Sequence, residues 1–319
     1  MSDMTNPLLE TRDLIKYFKT SRGSLHAVDH VNLSIPAQKT LGVVGESGCG
    51  KSTLGRSILR LIEPTSGKVL FQGKDILGYN RRQMHDIRHK MQIIFQDPYA
   101  SLNPRKTVSD LIEDPLKVYM VPRNERKEKA KELMDVVGLA QRFAYSYPHE
   151  LDGGRRQRIG IARALALDPL FIVCDEPVSA LDVSIQAQIL NLLMDLQEER
   201  GLTYMFITHD LSVVRHISDE IIVMYLGVVV EKAPSDELFH NPLHPYTKEL
   251  IRSIPIPDLR PEHRLENSIR GEVSDPIEPP DRCRFAPRCK YCCDECSKRQ
   301  PSLHDVGSGH YVACTLFEK

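Results

Sequence analysis

Residues 45–53 read Gly45, Glu46, Ser47, Gly48, Cys49, Gly50, Lys51, Ser52 and Thr53, between the apolar run 41–44 and a second run, 54–62. A glycine-rich segment between a strand and a helix has a specific chemistry. Its backbone N–H groups curl around phosphate and the helix start adds its dipole, while Lys51 supplies a fixed cation and the Ser52 hydroxyl can ligate magnesium. A second group ends the apolar run 170–176, where Asp175 and Glu176 stand side by side. The carboxyl end of a strand is where ligands collect in open α/β sheets. Asp175 suits the magnesium shell, and Glu176 suits a base that orients or deprotonates an attacking water. Alternation along the strand sends the two side chains different ways. His209, near the end of 203–210, can contact a γ-phosphate, and Gln96, closing 91–96, can touch magnesium or the water.

The elements that must position these groups are legible as a pattern. Short β-branched runs at 41–44, 91–96, 170–176, 203–210 and 220–227 alternate with helical spacing between about Leu8 and Glu231, which predicts an α/β domain with a mostly buried sheet. Between 104 and 150 the strands vanish, and 125–139 puts Glu125, Lys129 and Glu132 on one exposed helical face. We expect a helical subdomain over about 104–165. The longest apolar stretch, 221–230, is half a membrane span and carries Gly227, so it reads as a buried strand. Beyond His240 the chain becomes loop-rich, holding ten of the twenty-one prolines in its last seventy-nine residues.

Composition bounds the rest. With 319 residues, 41% of them apolar, the chain is long enough for two domains and is neither disordered nor collagenous. Lys+Arg at 42 against Asp+Glu at 43 leaves a net charge of -1, so no global basic field argues for nucleic acid and any phosphate must be held locally. The first residues carry no basic n-region or apolar h-region, which predicts a chain that stays in the cytoplasm. There, thiols are reduced, yet six of the eight cysteines fall between Cys283 and Cys314. Thiolates in such a segment suit an iron–sulfur cluster or zinc, and the donors alone do not choose. Cys289 and Cys292, and Cys293 and Cys296, also stand at zinc-like spacing. Cys49 and Cys174, outside this set, read as a loop filler and a small buried strand residue.

Taken together, these motifs resemble the nucleotide-binding subunits of ATP-binding cassette (ABC) transporters over about Leu8 to Pro255. The resemblance implies a P-loop NTPase core of the ABC ATPase type, with Gly45–Thr53 as the phosphate loop, Gln96 as the Q-loop, Asp175 and Glu176 as the Walker B pair, and His209 as the switch histidine. It implies Mg2+ held by Ser52, Gln96 and Asp175, with Glu176, His209 and Gln96 as the catalytic set. The D-loop is Ser179 to Asp182, and Phe18, or its neighbour Tyr17, matches the aromatic that stacks on adenine. The signature that contacts ATP on an opposite subunit corresponds to Leu151, Asp152, Gly153, Gly154 and Arg155, where the usual serine has become Asp152 and the usual glutamine Arg155. Asp is as good a helix N-cap as Ser. Facing a γ-phosphate, however, two like charges about 4 Å apart cost on the order of 4 kcal/mol at an effective dielectric near 20, against ~0.3–1 kcal/mol from a helix terminus. Repulsion is expected to weaken one of two ATP sites unless Arg155 or Arg156 screens Asp152, and such asymmetry suits a pair with a paralogous ATPase.

Residues 241–247 and the cysteine tail resemble the dipeptide and oligopeptide importer branch, which also includes nickel and metal-chelate importers. That resemblance favours Cys283, Cys289, Cys296 and Cys314 as ligands of a 4Fe–4S cluster, with zinc as the alternative, in a cysteine-rich extension over 256–319 following an ABC domain over 1–255. The implied assembly is an ATPase subunit peripheral to the cytoplasmic face of the membrane, with two transmembrane permeases, a paralogous ATPase and an extracytoplasmic substrate-binding protein, taking up di- or oligopeptides. A soluble cassette ATPase acting on nucleic acid or ribosomes would call for two cassettes, a long coiled coil or a basic surface, none of which this sequence has. A non-enzymatic metal-binding module with a degenerate core is opposed by the intact Glu176 and His209.

Overall fold

The structure, a computed structural model, describes residues 7–254 and 275–318. Two compact units divide the chain: one takes the described residues up to Pro36, Thr40–Leu77 and those from Ile207 on, and the other takes Ala37–Lys39 and Gly78–Phe206.

The first unit opens with β1 (Leu9–Thr20) and β2 (Gly23–Ile35), then β3 (Thr40–Val44), α1 (Lys51–Ile58), β4 (Ser66–Phe71) and β5 (Lys74–Asp75). Strands β2, β1, β4 and β5 form an antiparallel sheet in that order. Irregularities at Thr11/Leu14 and Leu14/Lys16 break the period-2 alternation of β1, whereas β2 alternates from His30 to Ile35, a strand signal absent from the expected set.

The second unit holds α2 (Arg81–Arg88), β6 (Met91–Ile94), α3 (Pro98–Ser101), α4 (Val108–Val118), α5 (Arg123–Val136), α6 (Gly153–Leu165), β7 (Phe171–Asp175), α7 (Val183–Arg200) and β8 (Thr203–Ile207), whose last residue returns the chain to the first unit. Its strands run in the order β8, β7, β6, with β6 and β7 parallel, and every residue of β7 and β8 is buried, as in a sheet covered on both faces. The helical stretch expected over 104–165 is occupied by α4, α5 and α6, with Lys129 on α5 reaching Glu132 at 3.4 Å.

The first unit resumes with α8 (Leu211–Ile217), β9 (Glu220–Tyr225), β10 (Val228–Pro234), α9 (Ser235–His240), α10 (Pro245–Arg252), β11 (His304–Gly307) and β12 (His310–Val312). These strands and β3 follow the order β11, β12, β10, β9, β3, with β3 and β9 parallel. The apolar stretch 221–230 is therefore a hairpin rather than one strand. Its turn puts Leu226 and Gly227 at φ 43 and 85, the left-handed pair that a tight two-residue hairpin turn demands. Among the described residues no helix is long and apolar enough to cross a membrane.

The compact units do not follow the expected division at 255/256. β12 pairs with β10, and Phe285, Cys283 and Cys296 belong to the core cluster that holds Tyr225 and Tyr246. Phe285 meets those rings edge-on and tilted, at 5.3 and 5.4 Å between centroids. The tail is thus anchored by apolar packing and by strand pairing.

A buried polar clasp adds to this anchoring. Glu231, with no exposed surface, accepts from Leu243 N (2.6 Å) and His244 N (3.0 Å) and pairs with His310 Nε2 (2.8 Å). His244 caps α10 by accepting from Tyr246 N at its Nδ1, 3.1 Å away, so it must be neutral there. Burial pushes His244 down to about 4, against which the Glu231 charge works, while Lys248 adds to the depression. The unfolded chain, with the ordinary value of 6.5, takes up the proton first on acidification. His244 therefore contributes stability that is complete above that value and is lost as pH falls toward 4. We expect its share of the loss between pH 7 and pH 5 to be about 2 kcal/mol. Urea unfolding at the two pH values should show a smaller acid loss in His244→Asn, which keeps an acceptor without a basic nitrogen; equal losses in both proteins would refute the assignment.

Candidate functional site

In the first unit, β3 is entirely buried and delivers the chain at Val44 into the phosphate loop. A Cβ on Gly45 would stand 2.2 Å from Met224 O and one on Gly50 1.9 Å from Ala27 O, both at positive φ, so backbone packing itself requires glycine there. Gly48, also at positive φ, faces open space. α1 begins at Lys51, whose side chain is buried and whose ammonium donates to Gly45 O (2.7 Å) and Glu46 O (2.9 Å). That ammonium is held inside its own loop, where a fixed cation serves phosphate best. The β9–β10 turn braces the loop, with Gly227 N donating to Cys49 O at 2.8 Å. Cys49 is buried and its thiol is pushed up by burial, as suits a loop filler, and Cys174 is a fully buried strand residue. Ser52 and Thr53 are half-buried in the first turn of α1.

Of the two aromatic candidates for adenine, Tyr17 is otherwise engaged. Its ring stacks on His26 at 3.7 Å between centroids, and its hydroxyl donates to Asp29. Phe18 is half-buried, with the Lys16 ammonium 4.8 Å from its ring centroid. Burial works against ionisation of Asp29, but the bonds from Tyr17, His26 and Arg284 hold it below the ordinary carboxylate value. His209 is exposed in the segment after β8, and Thr208 N donates to Val43 O at 3.1 Å, which ties that segment to the strand feeding the phosphate loop. Asp210 then caps α8.

In the second unit, Asp175 ends β7 with no exposed surface. Glu176 follows at φ 49, a left-handed conformation that turns its side chain away from the strand's alternation. Because Ile94 of β6 is in register with Cys174 of β7, the residues leaving the two strands meet, and Gln96 Nε2 donates to Glu176 Oε2 at 2.8 Å. The structure thus brings Gln96 and Glu176 together. Asp182 is the N-cap position of α7 and makes no side-chain cap bond, while Gln186 closes the D-loop by donating to Leu181 O (2.9 Å) and Val178 O (3.1 Å). Gly153 and Gly154 open α6 against Leu181 and Ile185, and a Cβ on Gly154 would lie 2.7 Å from Ile185 Cγ2.

The expected repulsion at Asp152 meets its own exception. Asp152 caps α6 by accepting from Arg155 N at 2.8 Å, and its other oxygen pairs with the Arg155 guanidinium. The two substitutions in the signature therefore compensate each other, serine to aspartate by glutamine to arginine. Arg156 instead donates to Pro148 O (2.7 Å) and covers the Tyr99 ring.

The four expected cluster ligands differ in exposure. Cys283, Cys296 and Cys314 are buried, Cys289 is half-buried, and Cys292 and Cys293 are exposed. Burial pushes Cys283 and Cys314 up to about 11. Cys296 Sγ lies 3.6 Å from Cys293, a residue outside the expected four, and 3.3 Å from Thr315 Oγ1. Among the described residues no three His, Cys, Asp or Glu side chains converge to hold a metal ion. Cys283 and Cys296 belong to the apolar core cluster, and Cys289 packs against it.

Three further groups, Tyr246, Arg284 and Arg288, belong to none of the sequence motifs. Tyr246 OH accepts from Glu46 N at 2.8 Å, Arg288 grips the Glu46 carboxylate, and Arg284 pairs with Asp29 and donates to Leu226 O. Tyr246 stands in the segment 241–247 and the arginines in 283–289, both of which the sequence marked only for family likeness or cysteine content.

Residues 28–179 match the family described as "ABC transporter", and residues 230–296 match "Oligopeptide/dipeptide transporter, C-terminal region". The oligopeptide transport ATP-binding protein AppF of Bacillus subtilis is 49% identical over 97% of this chain and 97% of its own length. OppF of the same organism is 50% identical over 99% and 98%. Among solved structures, the post-hydrolysis dimer of the ATP-binding cassette MJ0796 bound to ADP and Pi aligns with a TM-score of 0.65 at 33% identity, covering 71% of this chain and 98% of that one. CbiO1 from Clostridium perfringens aligns with a TM-score of 0.66 at 28% identity, covering 74% and 92%.

Proposed function

The chain belongs to the ABC transporter family, and from that membership we propose that it is the ATP-hydrolysing subunit of an importer of di- or oligopeptides. The observation that carries the reading is likeness along nearly the whole length to oligopeptide transport ATP-binding proteins, including the C-terminal match over 230–296. That match favours peptides over nickel or metal chelates as cargo.

In this reading the backbone of Gly45–Thr53 and the Lys51 ammonium hold the ATP phosphates, and Phe18 stacks on adenine. Ser52, Gln96 and Asp175 hold Mg2+, which when bound neutralises phosphate charge. Glu176, oriented by Gln96, takes the proton of the attacking water, and His209 steadies the γ-phosphate as its bond to the ADP oxygen breaks. Asp152 to Arg155 serve the nucleotide of an opposite cassette, with Arg155 supplying the countercharge that Asp152 requires, and Asp182 lines the same junction. A paralogous ATPase is the partner we assign, alongside two membrane-embedded permeases and a substrate-binding protein, with this subunit peripheral on the cytoplasmic face. Clustering of six cysteines in 283–314 supports a soft-metal site in the tail, formed by Cys283, Cys289, Cys296 and Cys314 when iron–sulfur or zinc is supplied.

The test is reconstitution of the chain with these partners in vesicles after anaerobic purification. ATP hydrolysis should rise, and peptide should accumulate, when peptide-loaded binding protein is added. Hydrolysis indifferent to loaded binding protein would reject the importer reading. In the same preparation, iron with sulfide, or zinc, at one site per chain is expected, and metal-free protein would reject the tail site.

A further inference from the structure

The phosphate loop carries an acid of its own. Glu46 follows Gly45 directly, and with Ser47, Gly48 and Cys49 it lines a cavity of about 400 Å³ that Tyr225 and Leu226 also border. A carboxylate there opposes the polyphosphate that the loop is built to hold. We propose that Arg288, from the cysteine-rich tail, is a positioning residue that neutralises Glu46 and so makes the loop fit for a nucleotide; this rests on the ATP-site reading above and deepens it.

The geometry is that of a dedicated pair. Arg288 meets Glu46 through both ends of its fork, Nη1 to Oε2 at 2.7 Å and Nη2 to Oε1 at 2.9 Å. Two parallel charge-assisted bonds fix direction as well as charge, which a lysine cannot do. The Arg288 side chain is only 4% exposed, against 22% for Glu46, so solvent screens this pair far less than the surface pairs of the molecule. Its guanidinium lies over the Tyr225 and Phe285 rings, and Nη1 reaches Tyr225 OH at 3.3 Å. A short turn at Ala286–Arg288 sets it there.

The backbone of Glu46 is held from the same side of the chain. Its N–H donates to Tyr246 OH, and its carbonyl accepts from Lys51 Nζ. Arg284 repeats the arrangement one turn earlier, pairing with Asp29 and donating to Leu226 O in the hairpin turn that braces Cys49. Two tail arginines thus answer two acids around the loop. The pairing spans 242 residues of sequence and makes nucleotide affinity depend on the tail.

The experiment measures binding of MgATP and of adenosine to the full chain, for wild type, Arg288→Ala, Glu46→Gln and the double variant. Freed from its partner, the Glu46 charge should weaken MgATP about tenfold in Arg288→Ala and leave adenosine unchanged, since only the phosphates meet it. Glu46→Gln leaves Arg288 facing the loop unneutralised and should tighten MgATP, a gain that no loss of structure produces. The double variant should return to within about threefold of wild type. Equal losses for MgATP and adenosine, a double variant as weak as Arg288→Ala, or wild-type affinity in Arg288→Ala would each overturn the proposal. A Lys51→Ala control separates the two levels: wild type that binds MgATP no better than this variant rejects the ATP site itself. Should Arg288→Ala fail to fold, the sign of the Glu46→Gln effect still decides, because weaker or unchanged MgATP binding there refutes charge neutralisation.

Discussion

Glu176→Gln should lower ATP turnover in the assembled transporter by at least about a hundredfold while nucleotide stays bound, the range expected when a general base is removed. The amide has the shape of the carboxylate, so the left-handed backbone at residue 176 and the neighbouring bond from Gln96 Nε2 are both preserved if the amide oxygen turns toward Gln96. What is lost is the ability to accept a proton from water. Binding and hydrolysis should therefore separate, with MgATP affinity equal to wild type or tighter and a single-turnover rate that collapses. Gln96→Ala makes a useful companion, because it leaves the base but removes its orienting donor, and its defect should be smaller. Full hydrolysis in Glu176→Gln would remove this residue from the catalytic set.

The second large effect concerns stability. Glu231→Ala is expected to destabilise the chain by about 3–5 kcal/mol, since it leaves Leu243 N, His244 N and the His310 ring without their buried partner. Burial alone would depress His310, but the carboxylates of Glu231 and Glu237 outweigh it and hold the ring above its ordinary 6.5. A raised value means stability that is complete below pH 6.5 and lost as pH rises through the folded-state value. That is the opposite sense from His244, so the clasp favours a window bounded on both sides. Replacing His310 together with Glu231 by apolar residues should recover part of the loss. Urea unfolding of the three proteins measures it, and a loss below about 1 kcal/mol for Glu231→Ala would equate this buried cluster with an ordinary surface ion pair.

Much of the candidate site could be read without coordinates because each part is local. A strand, a glycine loop and a helix are contiguous from Leu41 to Ile58, and the carboxylates of β7 end the strand that carries them. The charge change at Asp152 was also legible, but its resolution was not, since whether Arg155 turns back one helical turn is a matter of rotamer and solvent. The cysteine spacing suggested ligands, and only the structure shows that two of those thiols also border a core around Tyr225, Tyr246 and Phe285. β1 is hard to read because bulges erase the alternation on which strand recognition depends, while the alternation in β2 from His30 to Ile35 was legible but formed no part of the expected strand set.

Residue chemistry and short-range spacing thus marked the candidate phosphate loop and acid pair and pointed to the family, because the backbone geometry of a short contiguous segment follows from its own residues. The partners of buried charges were decided only in three dimensions. Arg288 looks like one more basic residue in a proline-rich tail, and Glu46 like a tolerated variation in a glycine loop. Folding takes Arg288 almost wholly out of water and Glu46 in large part, and a charge taken out of water needs a counter-charge at bonding distance, however far away along the chain that partner lies.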